Sequence, residues 1–339
     1  MTERDEEALA LVTAALDLMA PYAVRVAATL RLADAVAPGG STAAELATAR
    51  GADPDALERL LRYLSSRGVF EEIRPGVFAV NRAASLLSPG HPWGMHELLD
   101  HDGPQGRIAA AQARLIDTVR HGGDAYRRVF GRPFYEDMAA DPELSRRASA
   151  ASTAMAAGYA GEIAQDEVWK RAGSVADVGG GTGELTAAIL RAHPGLRAAL
   201  VERAETARAA AGTLAAAGVG DRCVIAEGSF FAPLPEGYDV YLLANVVPDW
   251  EDDDAVAILL RCAEVVPSEG RVVVVDTCAT AGADDKVMTF LDLFQLVVQS
   301  GRARRPEEIH RLAERAGLTP VETRRTPLSG YHVIEYVRT

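Results

Sequence analysis

From Glu6 to Ala35 apolar residues recur at helical spacing (Leu9, Leu11, Ala15, Leu18, Met19, Val24, Ala27, Leu30, Leu32), broken by Pro21, which predicts one kinked helix or two helices. Ser41-Thr42-Ala43-Ala44-Glu45 has the side chains of a capped helix start, and Asp53-Pro54-Asp55 opens a second helix ending near Ser66. Beyond them Gly68-Val69-Phe70-Glu71-Glu72 and Gly76-Val77-Phe78-Ala79-Val80 alternate as a small hairpin. Two short helices and a hairpin make a winged helix-turn-helix. Long helical stretches follow, Gly106 to His121 and Pro142 to Gln165. From Ser174 onward the period changes. Runs rich in β-formers, Ser174 to Val178, Ala198 to Glu202, Cys223 to Ala226, Val240 to Ala244 and Arg271 to Asp276, alternate with helical ones, as parallel strands joined by crossover helices do. Pro320 to Arg324 and Tyr331 to Val337 flank a turn at Thr326-Pro327-Leu328-Ser329-Gly330, giving the sheet an antiparallel finish.

A chain of 339 residues exceeds what one core usually supports, so more than one domain is expected. Residues 1–100 read as a helical winged-helix dimerisation domain, 101–165 as connecting helices lining a substrate pocket, and 166–339 as a Rossmann-like α/β domain. With 48% hydrophobic and 24% charged residues the composition is that of a soluble globular protein. The longest apolar runs, such as Val272-Val273-Val274-Val275, are strand-sized, and the acidic start from Met1 to Glu7 is the reverse of a signal peptide. A cytoplasmic protein with no membrane partner is expected. The net charge of −13 repels nucleic-acid backbones, and Ser41 to Arg82 balances acids against bases with no basic stripe on the second helix. The winged helix is therefore expected to pack or dimerise rather than bind DNA. Cys223, Cys262 and Cys278 lack metal-ligand spacing, and the acidic run Glu251-Asp252-Asp253-Asp254 complements a helix dipole, so no metal site is expected.

The strand Ser174 to Val178 carries Asp177 and runs straight into Gly179-Gly180-Gly181-Thr182-Gly183 before a helix from Glu184 to His193. Such glycines let a backbone pass close to a ligand at the switch point of a sheet, with helix N–H groups facing it. The next strand closes on Glu202, spaced to accept both ribose hydroxyls. The Gly-x-Gly-x-Gly spacing fits a cofactor with no pyrophosphate to wrap, and with the antiparallel finish it favours S-adenosylmethionine over a dinucleotide. After the third strand, Glu227-Gly228-Ser229-Phe230-Phe231 offers a hydroxyl and an aromatic face to an adenine.

Asp177-Val178-Gly179-Gly180-Gly181-Thr182-Gly183, Gly228-Ser229-Phe230-Phe231, Asp249-Trp250 and Leu291-Asp292-Leu293 resemble the bacterial class I small-molecule O-methyltransferases. Phe134-Tyr135-Glu136-Asp137-Met138 and Val24-Arg25-Val26-Ala27-Ala28 extend the resemblance to the branch of carminomycin 4-O-methyltransferase and aclacinomycin 10-hydroxylase. The resemblance spans nearly the whole chain. It implies a homodimer in secondary metabolism that methylates a polycyclic or aromatic natural product and releases S-adenosyl-L-homocysteine. It also implies a cofactor site of Asp177, Gly179, Gly180, Gly181, Glu202, Ser229, Phe230, Ala244 and Asn245, with Arg146 or Arg147 on the methionine carboxylate. The substrate pocket would draw on Phe290, Asp292, Phe294 and Met155.

Two positions depart from the family. Where its methyltransferases carry a histidine base, this chain has Pro248, which has no titratable group. In Gly301-Arg302-Ala303-Arg304, Ala303 replaces a supporting acid. Holding a nucleophile in line with an activated methyl supplies ~7–11 kcal/mol, against a factor of about 10²–10⁴ for a lost base, so transfer by proximity stays feasible. The alternative is a non-methylating enzyme of the same cofactor, a hydroxylase, decarboxylase or cyclase. The catalytic residue is left open, with His101 and Asp102 as candidates.

Overall fold

The computed structural model describes residues 3–279 and 285–339; Met1 and Thr2 of the acidic start lie outside them. The chain divides into two compact units, residues 1–106 and 107–339.

The first unit opens with helices Glu3–Ala14, Met19–Thr29 and Leu32–Ala35. The expected break falls at residues 15–18 and not at Pro21, which lies in the first turn of the second helix, where a missing N–H breaks no bond. Arg4–Thr29 is long and apolar enough by composition to match a membrane span, a correction to the expectation of strand-sized apolar runs alone, although the structure interrupts it. Thr42 and Glu45 form a reciprocal capping box at helix Ala43–Arg50. Asp53 accepts the Ala56 N–H at 2.8 Å ahead of helix Pro54–Ser66. β1 (Ser41–Thr42), β2 (Glu71–Arg74) and β3 (Val77–Ala79) form an antiparallel sheet in the order β1-β3-β2, closing a core of Leu46, Leu57, Leu61, Leu64, Phe70 and Phe78.

The second unit is built on seven strands: β4 (Ser174–Val178), β5 (Arg197–Glu202), β6 (Cys223–Glu227), β7 (Val240–Ala244), β8 (Arg271–Asp276), β9 (Leu318–Arg325) and β10 (His332–Arg338), in the order β6-β5-β4-β7-β8-β10-β9. β4 to β8 are parallel, and β10 runs antiparallel between β8 and β9. The predicted strands are all present, because a sheet covered on both faces reads as continuous apolar runs: Tyr241, Val272 and Val274 pack on one face, Leu242, Val273 and Val275 on the other. Ahead of the sheet the long helices are subdivided, Pro104–Gln112 from Leu115–His121, and Pro142–Ala156 from Ala160–Ile163, the second break centred on Gly158.

One partly buried ion network ties the final hairpin to Asp166, in the segment ahead of β4. Arg324 reaches Asp166 at 2.6 Å, Glu335 at 2.7 Å and Glu322 at 2.6 Å, and the Glu335 side chain is only 4% exposed. Removing one partner leaves a buried charge uncompensated. Arg324→Met is expected to cost about 3–5 kcal/mol in urea unfolding, and Arg324→Met with Glu335→Met to recover most of it; an unaffected single variant would show that the network contributes nothing.

Candidate active site

In the order β6-β5-β4-β7-β8 the chain moves one way from β4 and the other way from β7, so the crevice of a doubly wound sheet lies beyond the carboxyl ends of these two strands. The glycine loop occupies it. Gly179, Gly181 and Gly183 all have positive φ, at 77°, 55° and 81°. The three differ in what surrounds them. A Cβ on Gly179 would lie 3.0 Å from Val246 and 3.3 Å from Phe230, so the loops after β4, β6 and β7 meet there. One on Gly180 would strike the Asp177 carboxyl and Leu200 at 2.8 Å, whereas one on Gly181 would meet nothing within 4 Å among the described residues. Gly181 is thus the face a ligand can approach.

Asp177 is buried; one oxygen accepts the Thr186 hydroxyl at 2.5 Å and the other has no partner among the described residues. Burial pushes its pKa up to about 6, against the Thr186 hydrogen bond. Glu202, at the end of β5, accepts the Arg203 N–H at 2.5 Å, and burial raises its pKa too. Gly228 N–H bonds to the Glu202 carbonyl, Ser229 Oγ accepts the Phe231 N–H at 3.2 Å, and Phe230 and Phe231 pack edge-on against Trp250 with centroids 5.6 and 4.9 Å away. Ala244 ends β7, and Asn245 takes a left-handed φ of 53°, unusual outside glycine, with its N–H on the Val275 carbonyl. Helix Pro142–Ala156 reaches the loop through Thr153, whose hydroxyl bonds to Thr182 at 3.0 Å. An open glycine face, an orphaned buried carboxylate oxygen and a strand-end carboxylate together fit a cationic, ribose-bearing cofactor.

The other residues named from the sequence make contacts of their own. Arg146 is bound by Glu143 at 2.6 and 2.9 Å, about two turns of helix from Thr153, and Arg147 reaches the same carboxylate. Asp292 accepts the Ala303 N–H at 2.9 Å and so anchors residues 301–305. Phe294 packs into a core with Tyr126, Leu144 and Val297, leaving Phe290, Leu293 and Met155 exposed. His101 and Asp102 belong to the first unit, where the His101 N–H bonds to Thr29 Oγ1 at 2.7 Å.

The turn after β7 is held from several sides. Pro248 accepts the Arg302 N–H at 2.8 Å, and a Cβ on Gly301 would come within 2.2 Å of its carbonyl oxygen. The buried Arg304 guanidinium donates to the carbonyls of Val247 at 2.9 Å and Trp250 at 2.8 Å and to Asp252 at 2.7 Å. Asp249 accepts Gln295 Nε2 at 2.8 Å and the Tyr135 hydroxyl. Three groups here were not legible in the sequence. Tyr135, with Arg203 over its ring, spans from the end of β5 to Asp249. Tyr159 and Tyr331 stack at 4.4 Å, and the Asn245 side chain lies close enough to both to lower their pKa against burial. Asp276, ending β8, is fully buried; among the described residues neither oxygen has a hydrogen bond of good geometry, although the Asn245 N–H lies nearby, and burial drives its pKa well above the carboxylate range. A carboxylate ending a strand, as in β4 and β5, was the available signal for it.

An O-methyltransferase domain matches residues 113–319 and an O-methyltransferase dimerisation domain residues 13–90. The chain is 41% identical to 2,7-dihydroxy-5-methyl-1-naphthoate 7-O-methyltransferase of Streptomyces carzinostaticus, over 89% of its length and 90% of the relative's. It is 40% identical to aclacinomycin 10-hydroxylase RdmB of Streptomyces purpurascens, over 89% and 82%. An O-methyltransferase of neocarzinostatin biosynthesis, crystallised with S-adenosylmethionine and 2-hydroxy-5-methyl naphthoic acid, superposes with a TM-score of 0.88 at 38% identity, covering 96% of this chain and 98% of that one.

Two outcomes test the crevice. Because the folded pKa of Asp177 lies above its unfolded value, its stabilising contribution is complete below about pH 4 and lost as pH rises through 6. Relative to Asp177→Asn, the wild type should therefore lose about 2–3 kcal/mol of unfolding free energy across that window, and a flat difference would refute the buried charge. Gly181→Ala should fold with a cost of about 1 kcal/mol yet bind S-adenosylmethionine at least about tenfold more weakly by calorimetry; unchanged affinity would place the ligand elsewhere.

Proposed function

The chain belongs to the O-methyltransferase family, and from that premise we propose that it moves a methyl group from S-adenosylmethionine to a hydroxyl of a flat aromatic natural product in antibiotic biosynthesis. The observation that carries this reading is the crevice itself: the open Gly181 face, Asp177 and Glu202 all lie at the carboxyl ends of β4 and β5. When bound, the cofactor supplies a methyl group on a positively charged sulfur. Glu202 would accept from the ribose hydroxyls, Ser229 and Phe230 would meet the adenine, and Ala244 and Asn245 would flank the remainder. Exposed Phe290, Leu293 and Met155 offer apolar surface to an aromatic acceptor. One relative methylates a dihydroxynaphthoate and another is crystallised with a hydroxynaphthoic acid, which supports a phenol on an aromatic acid as the acceptor class.

With proline at position 248, the chain provides no imidazole on that turn, and the buried contacts of Arg304, Gln295 and the Arg302 N–H fix the turn's position instead. Catalysis would rest on orientation of an acceptor that ionises by itself. The non-methylating alternative is not favoured, since both matched domains and the naphthoate relative are O-methyltransferase proteins. We further propose a cytoplasmic homodimer. The matched dimerisation domain and the exposed Leu9, Leu11, Val12, Leu16, Leu18 and Met19, on the first two helices and the turn between them, support a second copy as partner.

Incubation with methyl-labelled S-adenosylmethionine and dihydroxynaphthoates should give labelled ether products whose rate follows ionisation of the phenol; unlabelled new products would overturn methyl transfer. Pro248→His should raise turnover of weakly acidic phenols about tenfold or more and add a rate limb near pH 6.5, while no change would mean the turn does not face the acceptor.

A further inference from the structure

The extended segment 301–305 has two sides. Ala303 and Arg305 line one cavity together with Asp292, whereas Arg302 and Arg304 line another with Asp252. Helix Pro306–Arg315 completes this second cleft with Glu308, Arg311, Leu312 and Arg315, which fall on one helical face at spacings of three and four. Its volume is about 270 Å³, well above the ~30 Å³ share of a single water. Leu312 and the Arg304 side chain, 4% and 3% exposed, are its buried members.

Four guanidinium groups therefore face two carboxylates in a chain whose net charge is −13. Internal pairing does not use them up. Arg304 is joined to Asp252 at 2.7 Å and Arg315 to Asp253 at 2.7 Å, but Arg311 stands 3.7 Å from Glu308, which is already engaged by the Arg305 N–H at 2.9 Å. Arg302 has no hydrogen-bond or ion-pair partner for its side chain among the described residues, although it is close enough to lower the pKa of Asp252 together with Arg304. Arg302 and Arg311 are exposed, so both guanidinium groups are free to turn toward a ligand in the cleft. Planar guanidinium groups are suited to bidentate contact with phosphate oxygens.

We propose that this cleft binds a small phosphate-bearing anion, free phosphate or a phosphate monoester, with Arg302 and Arg311 as the contacting residues. Arg304 and Arg315 supply fixed positive charge, and the Asp252 oxygen that bonds to Arg304 is not presented bare to the ligand. The site is separate from the proposed methyl-transfer crevice, so it stands or falls independently of that function. It lies beside the turn after β7, because Arg304 and the Arg302 N–H hold the carbonyls of Val247, Pro248 and Trp250.

Calorimetry on the full chain with inorganic phosphate and, separately, with glycerol 3-phosphate tests it. Saturable binding is expected, weakened about tenfold or more by Arg302→Gln with Arg311→Gln, with S-adenosylmethionine affinity unchanged because neither side chain touches the crevice or the backbone. Tighter binding of the ester would assign the ligand to phosphorylated metabolites, and equal or tighter binding of inorganic phosphate would assign it to the free ion. No saturable binding by the wild type, or equal binding by the double variant, would overturn the proposal and leave the cluster a surface ion network.

Discussion

Four of the five parallel strands, β4, β5, β6 and β8, carry a carboxylate at or next to their final residue, and parallel pairing brings all of these ends to one edge. Like charges gathered in this way repel, and Asp177 and Asp276 are also cut off from water. The neighbouring structure answers that repulsion locally: Thr186 on Asp177, the Arg203 N–H on Glu202, Tyr135 and Gln295 on Asp249, and the Arg304 guanidinium beneath the turn. What remains is an edge lined by carboxyl groups, with acceptor atoms left over. A positively charged sulfonium ligand is the natural complement to such an edge, whereas the phosphates of a dinucleotide would be repelled by it.

The same crevice explains how a chain with proline at position 248 can keep its architecture. Proline at position 248 removes a titratable group and a donor, but the turn needs neither, because its carbonyls accept from Arg302 and Arg304 and its acid from Gln295 and Tyr135. Gly301 allows the two backbones to approach so closely that no side chain fits between them. The geometry of the turn is therefore independent of the chemistry displayed on it.

Elements governed by local chemistry were legible in the sequence. Buried parallel strands are uninterrupted apolar runs, the capping box at Thr42 and the cap at Asp53 sit within a few residues of what they hold, and the glycine loop directly follows its strand. Contacts made across long separations were not. Tyr159 and Tyr331 meet only because the final hairpin folds back over the carboxyl edge, and Tyr135 meets Asp249 across more than a hundred residues. Asp292 and Arg146 were assigned through the family resemblance; in the structure one bonds a backbone N–H and the other a neighbouring glutamate on its own helix. Sequence spacing gives the face of a helix, and only packing says what that face meets.

The strand order also bears on how the molecule comes into being. β10 lies between β8 and β9, yet it is the last of the ten described strands to be synthesised. While the chain is still emerging, β8 presents an open ladder edge, and β9 has no neighbour through which to join the sheet. Asp276, at the tip of β8, is sealed only when that late strand slides into the gap. Until then a nascent chain carries an apolar, unpaired border that a chaperone or another strand can occupy, so production of the enzyme depends on how quickly its final segment arrives.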